Sequence, residues 1–284
     1  MKLHTTPPFS FAQTLEFIRR FPGCQTQTAV AAGHVTAAFA AGGRGWAVTI
    51  RDGSIELPPG APRSLVKRAA DWIGADDDLG AFYEAAATDR AMQPIVRALH
   101  GLHQVRFLGL EDIAVHAVMM QRQPAARVAV MKRRFLEAFG HPVGELFAMP
   151  EIDELARLAP AAIGKAIRHP AKAERIAEVV RGVAALGEDF LRTAPYEQAK
   201  QALLAVPGVG PFSAAAILLR GLGRTDELPG LAMFEREGRA IYGAAWDEDA
   251  IARRYGDQIG YWSFYVKTGA ARTVAAGDPN RDST

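Results

Sequence analysis

Apolar residues first recur at helical spacing near the N-terminus. Phe11, Leu15, Ile18 and Phe21 share one face, Ser10 stands where a cap belongs, and Pro22-Gly23 ends the run. The period then changes. Through "TQTAVAAGHVTAAFAAGGRGWAVTIRDGSIEL" short apolar runs are broken by Gly33, by Gly42, Gly43 and Gly45, and by Asp52-Gly53. This predicts short strands, the last break being a hairpin signal. "PPGAPRS" at 58–64 reads as a linker, and beyond it the pattern is helical almost to the end.

In that longer part Pro124 suits the first position of a helix, with Val128, Met131, Phe135 and Phe139 on one face and Gly140 closing it. After Pro170 a second face is made by Ile176, Val179, Val180, Val183 and Leu186. Tyr196 to Leu204 is a third helix, and Phe212, Ala215, Leu219 and Leu222 mark a fourth. Helices of about 10–17 residues with short joints point to a compact helical domain. No repeat of fixed period is present. The class expected is α+β: a small α/β domain with an antiparallel sheet over 1–60, a helical region over 61–276, and a disordered tail, "GDPNRDST", over 277–284.

The chain of 284 residues is long enough for two or three compact domains. The single Cys24 excludes an intramolecular disulfide framework and any four-cysteine metal site, and fits a reducing cytoplasm. "MKLHTTPPFSF" has no apolar core of a secretory signal. Residues 201–219 carry no charge, but Pro207, Gly208, Gly210 and Pro211 in their midst argue against a membrane span. Net charge is only +2. From Val118 to Arg224 there are 15 Lys and Arg against 10 Asp and Glu, a mild bias that favours nucleic acid. The run Lys132, Arg133, Arg134 reads as a solvated helix face. His100 and His103 lack the further ligands of a zinc site. No phosphate-binding loop, nucleophile elbow or zinc-protease motif is present.

"LLAVPGVGPFSAAAILL" is the most specific stretch: a helix, a tight turn and a second helix. Gly208 and Gly210 free the backbone of the turn and leave its amides uncovered beside a helix N-terminus, where the dipole favours an anion. With Pro207 before, Pro211 after and Val209 at the tip, this is a helix–hairpin–helix signature spanning about 196–222. Such a turn holds a DNA phosphate without reading sequence.

Three blocks together resemble the AlkA-type 3-methyladenine branch of the helix–hairpin–helix DNA glycosylases. They are "PPFSFAQTLEFIRRFPG", "AVHAVMMQRQPAARVAVMKRRFLEAFG" and "LLAVPGVGPFSAAAILLRGLGRTDELP", in the family's order and spacing. The resemblance covers nearly the whole chain. It implies base-excision repair of damaged double-stranded DNA by a monomer, cofactor-free and cytoplasmic at the nucleoid, which flips a nucleotide and hydrolyses its N-glycosidic bond. It implies DNA contacts at Gly208, Val209 and Gly210, and a wedge turn at Gln121 with Arg122 filling the emptied stack. It further implies a lesion pocket walled by Phe212, Tyr261 and Trp262, although "GYW" matches the family's Pro-Trp-Arg only loosely. A monovalent cation on the main-chain carbonyls of Leu204, Val206 and Val209 is implied as well. Phe212 stands where bifunctional relatives carry the lysine nucleophile, which points to a monofunctional enzyme. Phe212, Tyr261 and Trp262 as core aromatics and Arg122 as a plain surface arginine are the alternatives.

The chain departs from the family at one decisive place. After the hairpin the family reads roughly Asp-x-φ-Pro-x-x-Asp, the last Asp supporting the cationic sugar. Here the segment runs from Asp226 to Ala232, and Ala232 holds that last position. Three readings stand. Glu235, one turn on, substitutes for it, the bland reading of Glu235 being a first-turn acid that suits the helix dipole. Or the cationic alkylated base leaves without its help. Or the chain is a non-catalytic DNA lesion-binding protein on the same scaffold.

Overall fold

The computed structural model describes residues 1–228 and 230–276, with all of their side chains except those of 231, 232 and 271–276. The tail expected at 277–284 lies outside the described residues. Helix α1 (Phe11–Arg20) starts where Ser10 Oγ accepts the amide of Gln13 at 3.4 Å, and it buries Phe11, Leu15 and Ile18. Strands β1 (Thr28–Ala31), β2 (His34–Ala40), β3 (Gly45–Arg51) and β4 (Ser54–Glu56) form an antiparallel sheet in chain order. Register pairs Val35 with Ile50, Ala37 with Val48 and Phe39 with Trp46, so the residues of one parity face α1.

Helix α2 (Ser64–Trp72) belongs to this core as well. Leu65, Ala69 and Trp72 are buried against the sheet together with Val105 and Leu108. The expected boundary near 60 is therefore not a boundary of the core: residues 58–64 connect two parts of one packed unit. Polar linker composition marks where the chain crosses the surface, not where burial stops.

The rest is helical: α3 (Gly80–Ala87), α4 (Gln93–Ala98), α5 (Leu110–Met120), α6 (Ala125–Phe139), α7 (Ile152–Ala156), α8 (Pro160–Ile167), α9 (Pro170–Leu186), α10 (Glu188–Thr193), α11 (Tyr196–Leu204), α12 (Pro211–Ala216), α13 (Glu235–Tyr242), α14 (Glu248–Tyr255) and α15 (Ile259–Ala276). A small hairpin, β5 (His141–Val143) with β6 (Leu146–Ala148), follows α6 and packs Ala148 beneath Ala38 and Ala40 of the sheet. Its three-residue strands are too short to show a period in sequence. Residues Leu110 to Met119 of α5 are all buried, as expected of a helix enclosed on every side. Around it pack Val128, Met131 and Phe135 of α6, Ile176, Val179 and Val183 of α9, and Ile217 and Leu218. A second helical core gathers Phe82, Tyr255, Trp262 and Tyr265. No helix among the described residues is long and apolar enough to cross a membrane.

Two expectations are corrected by packing. Pro124 sits at the N-cap of α6, one residue before the predicted position. After α12 the chain makes a π-helical turn over Ile217–Gly221. Of the predicted face, Ala215, Leu219 and Leu222 are buried, Ala214, Ile217 and Leu218 are buried beside them, and Phe212 alone is left 39% exposed.

Lys132 is the third correction. It is not on a solvated face but buried, with its ammonium 2.6 Å from Asp112 of α5. Its Nζ also donates to the carbonyl of Gly23, in the turn that follows α1. Removing one partner of such a pair leaves an uncompensated buried charge. Asp112→Ala should therefore lower the unfolding free energy by about 3–5 kcal/mol, whereas Asp112→Leu with Lys132→Met should cost little or nothing. Urea unfolding of the single and double variants checks both.

Candidate functional site

The hairpin is built as its glycines require. Gly208 has φ +89°, and a Cβ there would press on Val179 at 3.2 Å. Gly210 meets nothing within 4 Å. The amide of Val209 donates to the carbonyl of Val206 at 3.0 Å, so of the three amides expected on a phosphate this one is committed to the turn. Those of Gly208 and Gly210 have no partner among the described residues, and they lie beside the start of α12. Val206 and Val209 are both buried.

The turn after α5 comes against this hairpin. Gln121, expected on DNA, points inward: Nε2 donates to Gly208 O at 2.9 Å and to Ser213 Oγ at 3.1 Å. Lys172 of α9 closes the end of α5 by donating to the carbonyls of Val118 and Gln121, both at 2.8 Å. The next residue, Arg122, is exposed, has φ +53°, and makes no hydrogen bond or ion pair among the described residues. A non-glycine residue in that region is strained by about 1 kcal/mol or more and persists because its neighbours fix it.

Between these features and α1 lies a cavity of about 790 Å³. Met120 and Gln123, which flank the strained turn, line it, and so does Phe212, which follows the hairpin. Phe17, Phe21, Phe107, Phe234 and Phe264 complete its aromatic lining. Each of these five rings already faces a cation of the protein: Arg220 for Phe17, Phe21 and Phe264, Lys132 for Phe107, Lys267 for Phe234. Among the described residues no such cation faces Phe212, which lines the cavity and is 39% exposed.

Tyr261 and Trp262 are not cavity walls. Both are buried in the second helical core; Tyr261 donates its hydroxyl to Asp77, and Trp262 donates Nε1 to Tyr242 at 2.9 Å. On α15 the neighbouring positions that reach the cavity are Ser263, Phe264, Lys267 and Thr268, one face of the helix. Sequence gave no reason to choose that face over the other, since both carry aromatic residues.

The search for a carboxylate has a clear geometric answer. Glu235 stands exposed at the start of α13 and pairs with Arg239 at 2.9 Å, away from the cavity. The side chain of Ala232 lies outside the described residues. Glu237 is the buried acid of α13. Burial alone would raise its pKa, but hydrogen bonds from Lys267 and Arg236, each at 2.9 Å, bring it down to about 2. Lys267 in turn lines the cavity, so Glu237 fixes a cation in the wall. Of the acids among the described residues, only Glu16 and Glu137 line the cavity, and Glu16 is held by Arg19 and Arg20 at 2.8 and 2.7 Å. Among the described residues no group of three His, Cys, Asp or Glu could hold a metal ion.

His116 is the residue that sequence reasoning missed. It lines the cavity, is buried, and packs on Phe107 with ring centroids 4.6 Å apart. Burial first, then the charges of Lys132 and Arg220, hold its pKa well below the ordinary histidine range, so it is neutral. Only its place on the all-buried α5 could have marked it.

The lowered pKa of Glu237 makes stability depend on pH with a defined sign. The folded protein binds this proton more weakly than the unfolded chain, so the contribution is full above the ordinary carboxylate value of 4.5 and fades as pH falls toward about 2. Glu237→Gln should be less stable than wild type at pH 7 and should lose less on acidification from 4.5 to 2. Urea midpoints measured across that range check this.

No protein-family model matches the chain. It is 27% identical over 164 residues to a DNA-3-methyladenine glycosylase of Bacillus subtilis, over 56% of this chain and 54% of that protein. The match thus spans about half the length of that curated relative. In structure it is similar to a 3-methyladenine DNA glycosylase from Archaeoglobus fulgidus, with a TM-score of 0.76, 16% identity, and 94% and 96% of the two chains covered. It is also similar to the 8-oxoguanine glycosylase/lyase of Clostridium acetobutylicum in complex with double-stranded DNA, with a TM-score of 0.70, 14% identity, and 92% and 93% covered. With its sheet, its central buried helix and its hairpin in this arrangement, the chain has the fold of these helix–hairpin–helix DNA glycosylases.

Proposed function

We propose that this chain is a monofunctional DNA N-glycosylase that acts as a monomer on damaged double-stranded DNA and releases alkylated purines of the 3-methyladenine type. The observation that carries the reading is one surface on which three features meet. They are a hairpin with two free amides, a strained arginine at the tip of the adjoining turn, and a 790 Å³ aromatic cavity opening between them. The volume suits a flipped base, and the cost of flipping is a few kcal/mol, offset by the phosphate grip and by Arg122 entering the stack. The monovalent cation belongs to the same proposal. It would be held by the carbonyls of Leu204, Val206 and Val209, facing a DNA phosphate, and Val206 O keeps a second lone pair beside its 3.0 Å bond from Val209.

The chemistry follows from the substrate. Alkylation at a purine ring nitrogen makes the base cationic. As the bond to the sugar breaks, positive charge moves to the sugar, the base departs neutral with the bonding electron pair, and water attacks the sugar carbon and releases a proton to solvent. The base needs no proton in order to leave. The exposed ring of Phe212 in the cavity wall favours an electron-poor base. A well-placed carboxylate would add on the order of 10²–10⁴ in rate, so a site without one is slower but not silent.

Incubation with dimethyl-sulfate-treated duplex DNA should release 3-methyladenine, read by chromatography. Phe212→Ala should lower that release with little effect on stability, because the ring is exposed. Glu235→Gln should leave release unchanged, since Glu235 faces Arg239, whereas Ala232→Asp should raise it, on the order of 10²-fold. If wild type and Ala232→Asp release no base yet still bind methylated DNA, the chain is a lesion-binding protein instead.

Gly210→Asp puts a negative charge beside the free amides at a position with room for it, so the fold should persist. Duplex affinity should fall by about tenfold or more, from the loss of charge-assisted bonds. Fluorescence anisotropy with a labelled duplex checks this; unchanged affinity would remove the hairpin from the DNA interface.

A further inference from the structure

Four charged groups on the cavity wall have partners within the protein. Lys132 has Asp112, Lys267 has Glu237, Glu16 has two arginines, and Arg220 donates to the carbonyl of Val105 at 2.9 Å. Two uncharged side chains of the wall differ. Gln104 is fully buried and lines the cavity, yet its Oε1 and Nε2 have no hydrogen-bond partner. His116 lines the same cavity, and its Nδ1 is buried without a partner. Buried groups left unpaired weaken a fold, and in native proteins they are rare enough to need a reason. Both residues line one apolar chamber, and the three unpaired atoms are buried in its wall.

The backbone around Gln104 is held firmly. Its amide donates to Tyr261 Oη at 3.3 Å, and the ring of His103 before it lies between the carbonyls of Gly74 and Pro8 at 2.6 and 2.9 Å. The side-chain amide therefore sits on a rigid base, offering one acceptor and two donor hydrogens in a plane. That pattern complements a purine edge with a donor beside an acceptor. We propose that Gln104 and His116 read the hydrogen-bonding edge of the flipped purine and so set which alkylated base the cavity takes. This rests on the glycosylase reading above. The charges facing His116 are Lys132 and Arg220, and with burial they keep its ring neutral, so it serves as one donor and one acceptor without adding a third cation.

Gln104→Leu keeps the volume and removes the unpaired atoms, and His116→Phe does the same for the ring. The experiment compares each with wild type on duplexes methylated at adenine N3 and at guanine N7. It measures the ratio of the two released bases, the affinity for methylated against unmethylated duplex, and Tm. For Gln104→Leu the release ratio should shift by about tenfold or more while affinity for unmethylated duplex holds. Tm should rise, since an apolar side chain suits the apo fold better. A merely structural glutamine would give a lower Tm and an unchanged ratio, which overturns the proposal, as does an unchanged ratio at any Tm. If wild type releases neither base, the enzymatic reading fails and affinity decides. Loss of the preference for methylated duplex in Gln104→Leu keeps the readout role, and its persistence overturns it. If wild type shows neither release nor preference, both readings fall.

Discussion

Lys132 and Asp112 face each other at 2.6 Å where neither meets water, and three parts of the molecule are joined there. Asp112 belongs to α5, the helix enclosed on every side; Lys132 belongs to α6; and the carbonyl of Gly23 that completes the contact belongs to the turn between α1 and the sheet. Two desolvated charges tolerate little displacement, because their attraction compensates their lost hydration only at close range. The pair therefore fixes the angle between the helical core and the α/β unit, and the cavity is the space left at that junction. It also fixes the cavity's electrostatics. The Lys132 ammonium lies 5.1 Å from the Phe107 ring and, with Arg220, keeps His116 neutral.

Several departures from an ideal fold lie around the same space, while others, such as the left-handed Arg168 and the unpaired amide of Gln27, lie elsewhere. Arg122 holds a left-handed backbone at the rim, a π turn follows α12, and Gln104 and His116 keep unpaired atoms in the wall. Each lowers stability by a modest amount, and elsewhere the cores are closely filled by Phe135, Trp72, Trp262 and Tyr265. Such clustering is what a site under functional demand looks like, since stability is given up where geometry must serve a ligand. The side chain of Gln121 ties the strained turn to the hairpin through Gly208 O and Ser213 Oγ.

The acids of this region divide by role. Glu235 is a first-turn residue paired along its own helix, which is how an acid near a helix N-terminus is commonly used. Glu237 is locked between Lys267 and Arg236 and serves the wall by fixing a cation. Neither is free to meet a sugar. On the proposed reading, with Glu235 and Glu237 so engaged, the burden of base release shifts to the leaving group, and a cationic purine is the base that can bear it.

Much of this was legible in the sequence because it rests on local physics. Helix α1 with its Ser10 cap, the strands broken at glycines, the faces of α6 and α9, and the hairpin at 207–211 each follow from periodicity or from backbone freedom within a few residues. What the sequence could not decide depends on partners far along the chain. Leu65 and Trp72 join the sheet's core although a linker precedes them, and Lys132 is buried because Asp112 stands opposite. Tyr261 and Trp262 face the core rather than the cavity because α15 turns its Phe264 face inward to the cleft. The unpaired amide of Gln104 is invisible in any pattern, since a glutamine reads the same whether or not a partner waits for it. Burial and hydrogen bonding are properties of pairs in space, and only the tertiary structure chooses the pairs.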